Sequence, residues 1–409
     1  MNKVHLTTKL RRLKRIAENS FTFTPTENVP LYFDEMSEFG FLEGLYVTDK
    51  FRDDIDAIDP KVIFGGRNNL IGEVNKIQNT WAKILRAEAC SLRLLSGLNA
   101  YATVFMSIGE IGDTVLILPE NAGGHFSVHA ILERLGFNVV EMIPNFDRCS
   151  LDIQKTNELI ERLRPRFILF DRSEGLIYED LSELRLDKCE YSIFDVSQYL
   201  ANVIAGDFKH PFDMGFDALI GTMHKNFPGP QKAMFATKRF DKFWEKLERD
   251  LGLFISNTHA FNIFLAGMAT TNMEFISNYS AEILTTAGTV RRTLCQKLDG
   301  GLDTQSNQQG THHCWLTYAN KHEAFNAYKA LEKCRIFTNY RLLPYNLGHG
   351  IRMGTSHAVM SGLTEKSAGE LSNLIIEVLN SGGTPKLRRQ VTELRQSLIP
   401  LTELQLDNV

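Results

Sequence analysis

Short apolar runs that alternate with amphipathic helical segments between Phe64 and Lys238 constrain the fold more than any other feature of this 409-residue chain. The runs do not alternate strictly between apolar and polar residues, which is typical of strands covered on both faces. Strand–helix–strand repetition of this kind predicts an α/β fold with a doubly wound, mostly parallel sheet. The predicted strands are Asp113–Leu118, Asn138–Ile143, Arg166–Asp171, Glu190–Asp195, Asp217–Gly221 and Lys232–Thr237.

The pattern changes after about Leu251, where a long helical stretch leads into a smaller α+β region. The chain is long enough for a second domain, because single hydrophobic cores stop growing near ~250–300 residues. We therefore predict five segments. They are an N-terminal arm (1–55), a large domain (56–255), a connecting helix (256–300), a small C-terminal α+β domain (301–380), and a C-terminal helix and tail (381–409).

Charge and composition exclude several classes of function. A net charge of −4 gives no overall basic surface for nucleic acid, and no apolar run is long enough to span a membrane. The six cysteines are scattered without a CxxC pair or metal-like cluster, which favours reduced thiols, a cytoplasmic location and no metal site. The basic residues of Lys9–Arg15 predict a solvated opening helix, with a transit segment or an anion-binding arm as the alternatives.

Four polar features follow predicted strands or open helices, where ligands bind in doubly wound sheets. Each has a simpler explanation when taken alone: a helix cap, a hydrogen-bonded polar residue, an N-cap or a surface turn. One of them contains the pair Gly123-Gly124, and two glycines let a backbone approach a flat or anionic group closely. The four are Ser96-Gly97, Gly123-Gly124-His125, Asp195, and the loop that contains Thr222, His224 and Lys225.

Together these features predict a pyridoxal phosphate site. The cofactor needs a phosphate cup, an acid that keeps its pyridine nitrogen protonated, and a lysine that forms a Schiff base with it. The lysine must be partly neutral in order to attack, and burial beside a cationic neighbour favours the neutral form.

The chain resembles the serine hydroxymethyltransferase family of fold-type I pyridoxal phosphate enzymes. The resemblance extends from about residue 18 to residue 380, and it rests on the order and spacing of several short motifs. It implies a large domain with a mostly parallel sheet, a smaller C-terminal α+β domain, and a homodimer with shared active sites. The matching stretches are Thr26–Asn28, Phe64–Gly66, Ser96-Gly97, Gly123–His125, Pro165–Ser173, Phe194–Ser197, Thr222–Pro230 and Gly350–Thr355.

The resemblance also implies a cofactor role for individual residues. Lys225 would form the Schiff base, Asp195 would bind the pyridinium nitrogen, and His125 would stack on the ring and take part in catalysis. Ser96, Gly97 and Thr222 would hold the phosphate. Three further residues would lie next to the cofactor, namely Ser173, Gln198 and His224.

Three residues are implied to handle the substrate. Arg352 would clamp the substrate carboxylate with its bidentate guanidinium. Glu27 would accept the proton of the β-hydroxyl group, so that the Cα–Cβ bond breaks and leaves a glycine carbanion. Tyr46 would be an active-site phenol facing the partner subunit. The implied partners are therefore small molecules, an amino acid and an aldehyde, with neither nucleic acid nor a membrane.

Departures from the family pattern bear on folate. Gln198 replaces a histidine, Phe64 replaces a tyrosine, and the family's segment around Leu45–Asp54 is unrecognisable beyond Tyr46. The loop His224–Lys232 is instead similar to that of threonine transaldolases. We therefore expect an aldol-type transferase that acts on threonine or related β-hydroxy-α-amino acids without folate. The alternatives are a tetrahydrofolate-dependent hydroxymethyltransferase, another pyridoxal phosphate reaction such as transamination, and a pseudoenzyme that only binds the cofactor.

Overall fold

The computed structural model of the chain describes residues 3–24, 27–44, 70–255, 257–306 and 308–401. The chain divides into two units that are discontinuous in sequence. The larger unit comprises Asn28–Glu174 and Glu179–Ser277. The smaller unit takes the described residues of Met1–Glu27, together with Gly175–Tyr178 and the described residues of Asn278–Val409.

A seven-stranded sheet forms the centre of the larger unit, counted over the described residues. Its strands are β1 (Ala89–Ser91), β2 (Thr114–Ile117), β3 (Asn138–Glu141), β4 (Phe167–Phe170), β5 (Tyr191–Asp195), β6 (Ala218–Thr222) and β7 (Ala233–Thr237). They follow the order β1-β7-β6-β5-β4-β2-β3, and all are parallel except β7, which is antiparallel to both β6 and β1. The predicted α/β fold with a mostly parallel sheet is confirmed.

Helices and apolar side chains cover this sheet, which is why its strands lack alternation. All four residues of β4 and all five of β6 are buried. One face packs against the helices Gly97–Ile108 and Lys242–Phe254 through a shared apolar cluster. The other helices of this unit are Phe33–Met36, Ile71–Ile84, Phe126–Arg134, Ile153–Leu163, Leu200–Ala205 and Ala260–Ala269, with short 3-10 turns at Ser37–Gly44, Glu120–Ala122, Leu186–Lys188 and Pro211–Met214. A two-residue strand pair joins Pro144–Asn145 to Ser150–Leu151.

The smaller unit is built on a three-stranded antiparallel sheet of β8 (His313–Thr317), β9 (Asn339–Leu342) and β10 (His349–Gly354). The order of its strands is β8-β10-β9. Its helices are Lys3–Glu18, most of Met273–Lys297, Lys321–Lys333, Ser356–Met360, Glu365–Ser381 and Pro385–Ser397. Short pairs join Phe21–Thr22 to Ile336–Phe337 and Ile177–Tyr178 to Gln309–Gly310. Across the described ranges, we find no helix with the length and apolarity that a membrane span requires.

Candidate active site

The carboxyl ends of β5 and β6 place the predicted cofactor residues along one edge of the sheet. Asp195 is the last residue of β5 and is paired in register with Ile220 of β6. Thr222 ends β6, and Lys225 follows in the loop that leads to β7. Neighbouring parallel strands that end together in this way create the crevice where doubly wound folds bind their ligands.

The residues predicted to bind the phosphate, here called the phosphate seat, lie where the helix Gly97–Ile108 begins close to Thr222. Ser96 caps this helix in an extended conformation, and its side chain makes no capping hydrogen bond. The helix begins close to β6, since a Cβ atom on Gly97 would lie 2.9 Å from Thr222 Cγ2. Thr222 Oγ1 is buried and finds no hydrogen-bond partner within the part of the chain that the structure describes. An unsatisfied hydroxyl beside a helix N-terminus suits a phosphate, which accepts from both, and these residues therefore fit the phosphate of the cofactor.

Two donors hold the carboxylate of Asp195. The Ser197 backbone N–H donates to Asp195 Oδ1 over 2.5 Å, and the Tyr101 hydroxyl donates to Oδ2. Tyr101 is buried, and burial together with the nearby carboxyl groups of Asp195 and Asp171 raises the pKa of Tyr101 well above its usual value. Tyr101 therefore remains a proton donor at neutral pH. An oriented carboxylate of this kind is the group that a pyridinium N–H requires.

His125 is fixed by its own helix and by Asp171. Its backbone N–H donates to Asp171 Oδ2 over 3.0 Å, and its Nδ1 accepts from the Ser127 backbone N–H over 3.2 Å. With Nδ1 as an acceptor, a neutral imidazole carries its proton on Nε2. Phe126 stacks on the imidazole with a centroid distance of 4.8 Å. Gly123 precedes this turn at φ +91°, and a Cβ there would lie 1.9 Å from the Glu174 carbonyl oxygen, so that only glycine fits.

Asp171 is a buried carboxyl that lies next to this network. Burial is the main cause that raises the pKa of Asp171 well above its usual value, and the charge of Asp195 acts in the same direction. Its Oδ1 finds no hydrogen-bond partner among the described residues. Burial therefore favours the neutral form of the Asp171 carboxyl group.

The loop that carries Lys225 is anchored on both sides of the lysine. Asn226 Oδ1 accepts from the Ala201 backbone N–H over 2.7 Å, and Asn226 Nδ2 donates to Asn202 Oδ1 over 3.0 Å. At the end of the loop, the fully buried Lys232 donates from Nζ to the Thr258 carbonyl oxygen over 2.7 Å. Lys225 itself is half-buried. The backbone on both sides of the lysine is thus held in place next to the end of β6.

His224 adds no positive charge next to Lys225 at neutral pH. Burial, followed by the neighbouring charge of Lys225, lowers the pKa of His224 to about 4. Its Nδ1 is buried without a hydrogen-bond partner. The remaining predicted cofactor residues of the larger unit are Ser173, half-buried after β4, and Gln198, buried after β5.

Two of the predicted substrate residues, Arg352 and Glu27, belong to the smaller unit. Arg352 lies in the middle strand β10 of the smaller unit, where burial lowers its pKa to about 10, so that it stays charged at neutral pH. Glu27 belongs to the same unit and is exposed. Tyr46 and Phe64 lie outside the described residues. The catalytic and binding roles of all these residues remain predictions.

The sequence motifs did not predict Tyr101 and Asp171, which contact Asp195 and His125. Tyr101 lies four positions after Gly97 on the same helix, and such residues share a face. That spacing from the predicted phosphate seat is the signal that would have found Tyr101. Asp171 closes a predicted strand just as Asp195 does, and this shared position at a strand end was the corresponding signal for Asp171.

No family profile matches the chain. Serine hydroxymethyltransferase of Staphylothermus marinus is 25% identical over 343 residues, which cover 80% of this chain and 77% of that protein. The enzyme of the same name from Pyrococcus furiosus is 27% identical over 334 residues, covering 76% of this chain and 77% of the relative. A crystal structure of L-threonine transaldolase from Pseudomonas fluorescens in its internal aldimine state superposes with a TM-score of 0.86 at 22% identity, covering 97% of this chain and 91% of the other.

The fold is that of the fold-type I pyridoxal phosphate enzymes. Within that class, the sequence relatives are serine hydroxymethyltransferases, so the resemblance predicted from the motifs is confirmed. The comparisons also agree with the prediction of an enzyme that uses pyridoxal phosphate.

Proposed function

We propose that this protein is a pyridoxal phosphate enzyme that breaks and forms the Cα–Cβ bond of β-hydroxy-α-amino acids, with threonine as a substrate and without folate. The observation that carries this proposal is that Asp195, Thr222 and Lys225 lie at or just after the ends of neighbouring strands. The Thr222 hydroxyl there is buried and finds no partner among the described residues. Further support comes from the similarity of nearly the whole chain to the fold of a threonine transaldolase.

Each cofactor residue then has one task. Ser96, the N–H groups that begin at Gly97, and Thr222 bind the phosphate. Asp195, oriented by its two donors, accepts a hydrogen bond from the pyridine nitrogen. Lys225 would hold the cofactor covalently through its amine. When bound, pyridoxal phosphate supplies the electron sink for the electron pair left on the α-carbon.

Substrate handling falls to charged residues of the smaller unit. Arg352, a buried permanent cation, binds the α-carboxylate through two N–H donors and so fixes the orientation of the substrate. Glu27 accepts the proton of the β-hydroxyl group as the Cα–Cβ bond breaks, and an aldehyde leaves. In the reverse direction Glu27 returns a proton to the new hydroxyl group.

A hydroxymethyltransferase that uses tetrahydrofolate is the second candidate. It is favoured by the names of the sequence relatives, which match about 80% of the chain. The same cofactor residues serve both reactions, and they differ in whether the aldehyde leaves freely or is taken up by folate.

The experiment is to measure acetaldehyde released from threonine, and glycine formed from serine, with and without tetrahydrofolate. We expect acetaldehyde release without folate, and its loss in Glu27→Gln. Glu35→Gln, a change of another exposed carboxylate, is the matched control and should retain the activity. Turnover of serine alone, and only with tetrahydrofolate, would select the second candidate. An unchanged rate in Glu27→Gln would contradict the role of Glu27.

We also propose that the protein acts as a homodimer in which Tyr46 completes the site of the partner subunit, as the family resemblance implies. Mixing inactive Tyr46→Phe and Lys225→Ala protomers should restore activity, because half of the sites in the mixed dimers contain both native residues. Absence of this complementation, in a mixture shown to exchange subunits, would contradict shared sites.

A further inference from the structure

The sheet of the smaller unit has one apolar face and one polar face. Cys314, Leu316, Ile351 and Met353 belong to the hydrophobic core on the first face. Because side chains alternate along a strand, the residues next to these core residues in each strand point to the opposite face. Those residues are His313 and Trp315 of β8 and Arg352 of β10, with Asn339 of β9 beside them.

Register places three of these residues in one row across the sheet. Trp315 is paired with Arg352, and Arg352 is paired with Asn339, so that Arg352 lies between the other two. Side chains directly opposite each other on antiparallel strands have Cβ atoms about 4.5–5.5 Å apart. Trp315 and Asn339 therefore flank the predicted carboxylate-binding arginine within contact distance of a ligand bound there.

Trp315 and Asn339 each have a buried polar atom that finds no hydrogen-bond partner among the described residues. Trp315 is 1% exposed, and its atom is the indole Nε1. In Asn339 the atom is Oδ1. A tryptophan N–H can only donate, and leaving a buried donor unsatisfied is unfavourable, so the indole requires an acceptor that the described part of the chain does not provide.

We propose that the indole N–H of Trp315 is a second donor to the carboxylate that Arg352 binds, so that the two residues form one anion site. The proposal rests on the proposed function of Arg352 and extends it to a residue with no assigned role. Asn339 presents an acceptor oxygen on the other side of Arg352. A carboxylate avoids that oxygen and is therefore directed to the Trp315 side of the guanidinium.

The two histidines at the start of β8, His312 and His313, do not add positive charge that would compete with Arg352 for the anion. Burial, with the charges of Arg352 and Arg291, lowers the pKa of His312 to about 3, and His313 is affected in the same direction. Arg291 donates to the carbonyl oxygens of Thr311 and His313 and lies 3.4 Å from Asp303 Oδ1. At neutral pH the anion is thus held by Arg352 and by the neutral donor Trp315.

Trp315→Phe tests this proposal, because it keeps an aromatic ring and removes the N–H. Dissociation constants of the holoenzyme for glycine and for glycinamide, which lacks the carboxylate, are measured by absorption titration. We expect glycine binding to weaken about tenfold, as for loss of a hydrogen bond to a charged group, with glycinamide unchanged. Trp244→Phe, at a core tryptophan of the larger unit, is the matched control and should change neither constant.

Two further measurements separate donation from packing. The intrinsic fluorescence of the cofactor-free protein should respond to acetate in the wild type and not in Trp315→Phe. Trp315→His, whose ring retains an N–H, should recover part of the glycine affinity, and this variant also serves if Trp315→Phe does not fold. Glycine affinity that depends on Arg352, tested as Arg352→Lys, but not on Trp315 would overturn the proposal and leave the proposed function intact. Affinity that depends on neither residue would overturn both.

Discussion

At the scale of single residues, the Tyr101 hydroxyl helps to orient the carboxylate of Asp195, the predicted partner of the pyridine nitrogen. Tyr101→Phe removes one of the two donors to Asp195 while keeping the ring in the core. Hydrogen bonds to charged groups contribute roughly 1.5–3 kcal/mol, so we expect pyridoxal phosphate to bind the cofactor-free protein about ten times more weakly or worse. Titration of the visible absorption band measures this affinity.

Tyr191→Phe is the matched control for Tyr101→Phe. Tyr191, at the start of β5, is also a buried tyrosine with a hydrogen-bonded hydroxyl. Its partner is Oγ1 of Thr237, at the end of β7. Its loss should lower stability without changing cofactor affinity. Equal cofactor affinities for the two variants would show that the Tyr101 hydroxyl does not act through Asp195.

Gly97 offers a second test at this scale. In Gly97→Ala the new methyl group would lie 2.9 Å from Thr222 Cγ2, so the Thr222 side chain must turn and its hydroxyl leaves the phosphate seat. Crowding of this kind costs about 1–3 kcal/mol, and we expect phosphate and cofactor affinity to fall about tenfold. Gly72→Ala, where a Cβ meets nothing within 4 Å, should leave both affinities unchanged. A similar effect of both changes would contradict the seat.

Sequence motifs indicated Asp195, Lys225 and His125 because each follows a predicted strand in a recognisable local context. Tyr101 and Asp171 were missed for a physical reason. Tyr101 lies inside an apolar helix, where a tyrosine is usually a core residue, and its role depends on a contact with Asp195 across 94 positions of sequence. Long-range contacts of this kind leave no local pattern.

At the scale of elements, the loop between β6 and β7 presents Lys225 because Asn226 ties it to the helix Leu200–Ala205. Asn226→Ala would leave the Ala201 backbone N–H and Asn202 Oδ1 without this partner in a fully buried position. Unsatisfied buried groups cost about 1–3 kcal/mol each, so we expect the free energy of unfolding to fall by about 2 kcal/mol or more.

Urea denaturation measures that loss. Asn138→Ala is the control, because Asn138 also donates to a backbone carbonyl oxygen, that of Gly112, but in an exposed position. Its free energy of unfolding should change by less than about 1 kcal/mol. If Asn226→Ala were as stable as Asn138→Ala, the claim that Asn226 anchors the Lys225 loop would be contradicted.

All six strands predicted for the larger unit are present, because runs buried on both faces stand out against amphipathic helices. Two features of the sheet could not be predicted from the pattern. The strand Ala89–Ser91 has three residues, too few to show any period, and the reversed direction of Ala233–Thr237 depends on the tight loop around Lys225. Direction is set by how a connection returns to the sheet, which apolar content does not encode.

At the scale of the whole molecule, buried histidines make stability depend on pH. Burial lowers the pKa of His210, His224 and His357 to about 4 and that of His312 to about 3. In the unfolded chain histidine has a pKa near ~6.5, so the unfolded state binds more protons between these values. Stability therefore falls as the pH is lowered from ~6.5 towards ~4.

Asp171 opposes this slope, because its raised pKa makes the folded state bind the extra proton. It is one group against five, since the pKa of His313 is lowered as well. The urea midpoint is measured at intervals of about half a pH unit. We expect it to decrease steadily from pH 7 to pH 4.5. A midpoint that is constant or higher at the acidic end would contradict the burial of neutral histidines.

The most direct test of the whole account is to find where the cofactor is attached. The purified protein is incubated with pyridoxal phosphate, reduced with borohydride, digested, and analysed by mass spectrometry for the modified lysine. The account predicts a visible absorption band before reduction and a modification on Lys225, both absent in Lys225→Ala. A protein without that band, or a modification on another lysine such as the buried Lys232, would contradict the assignment of the active site.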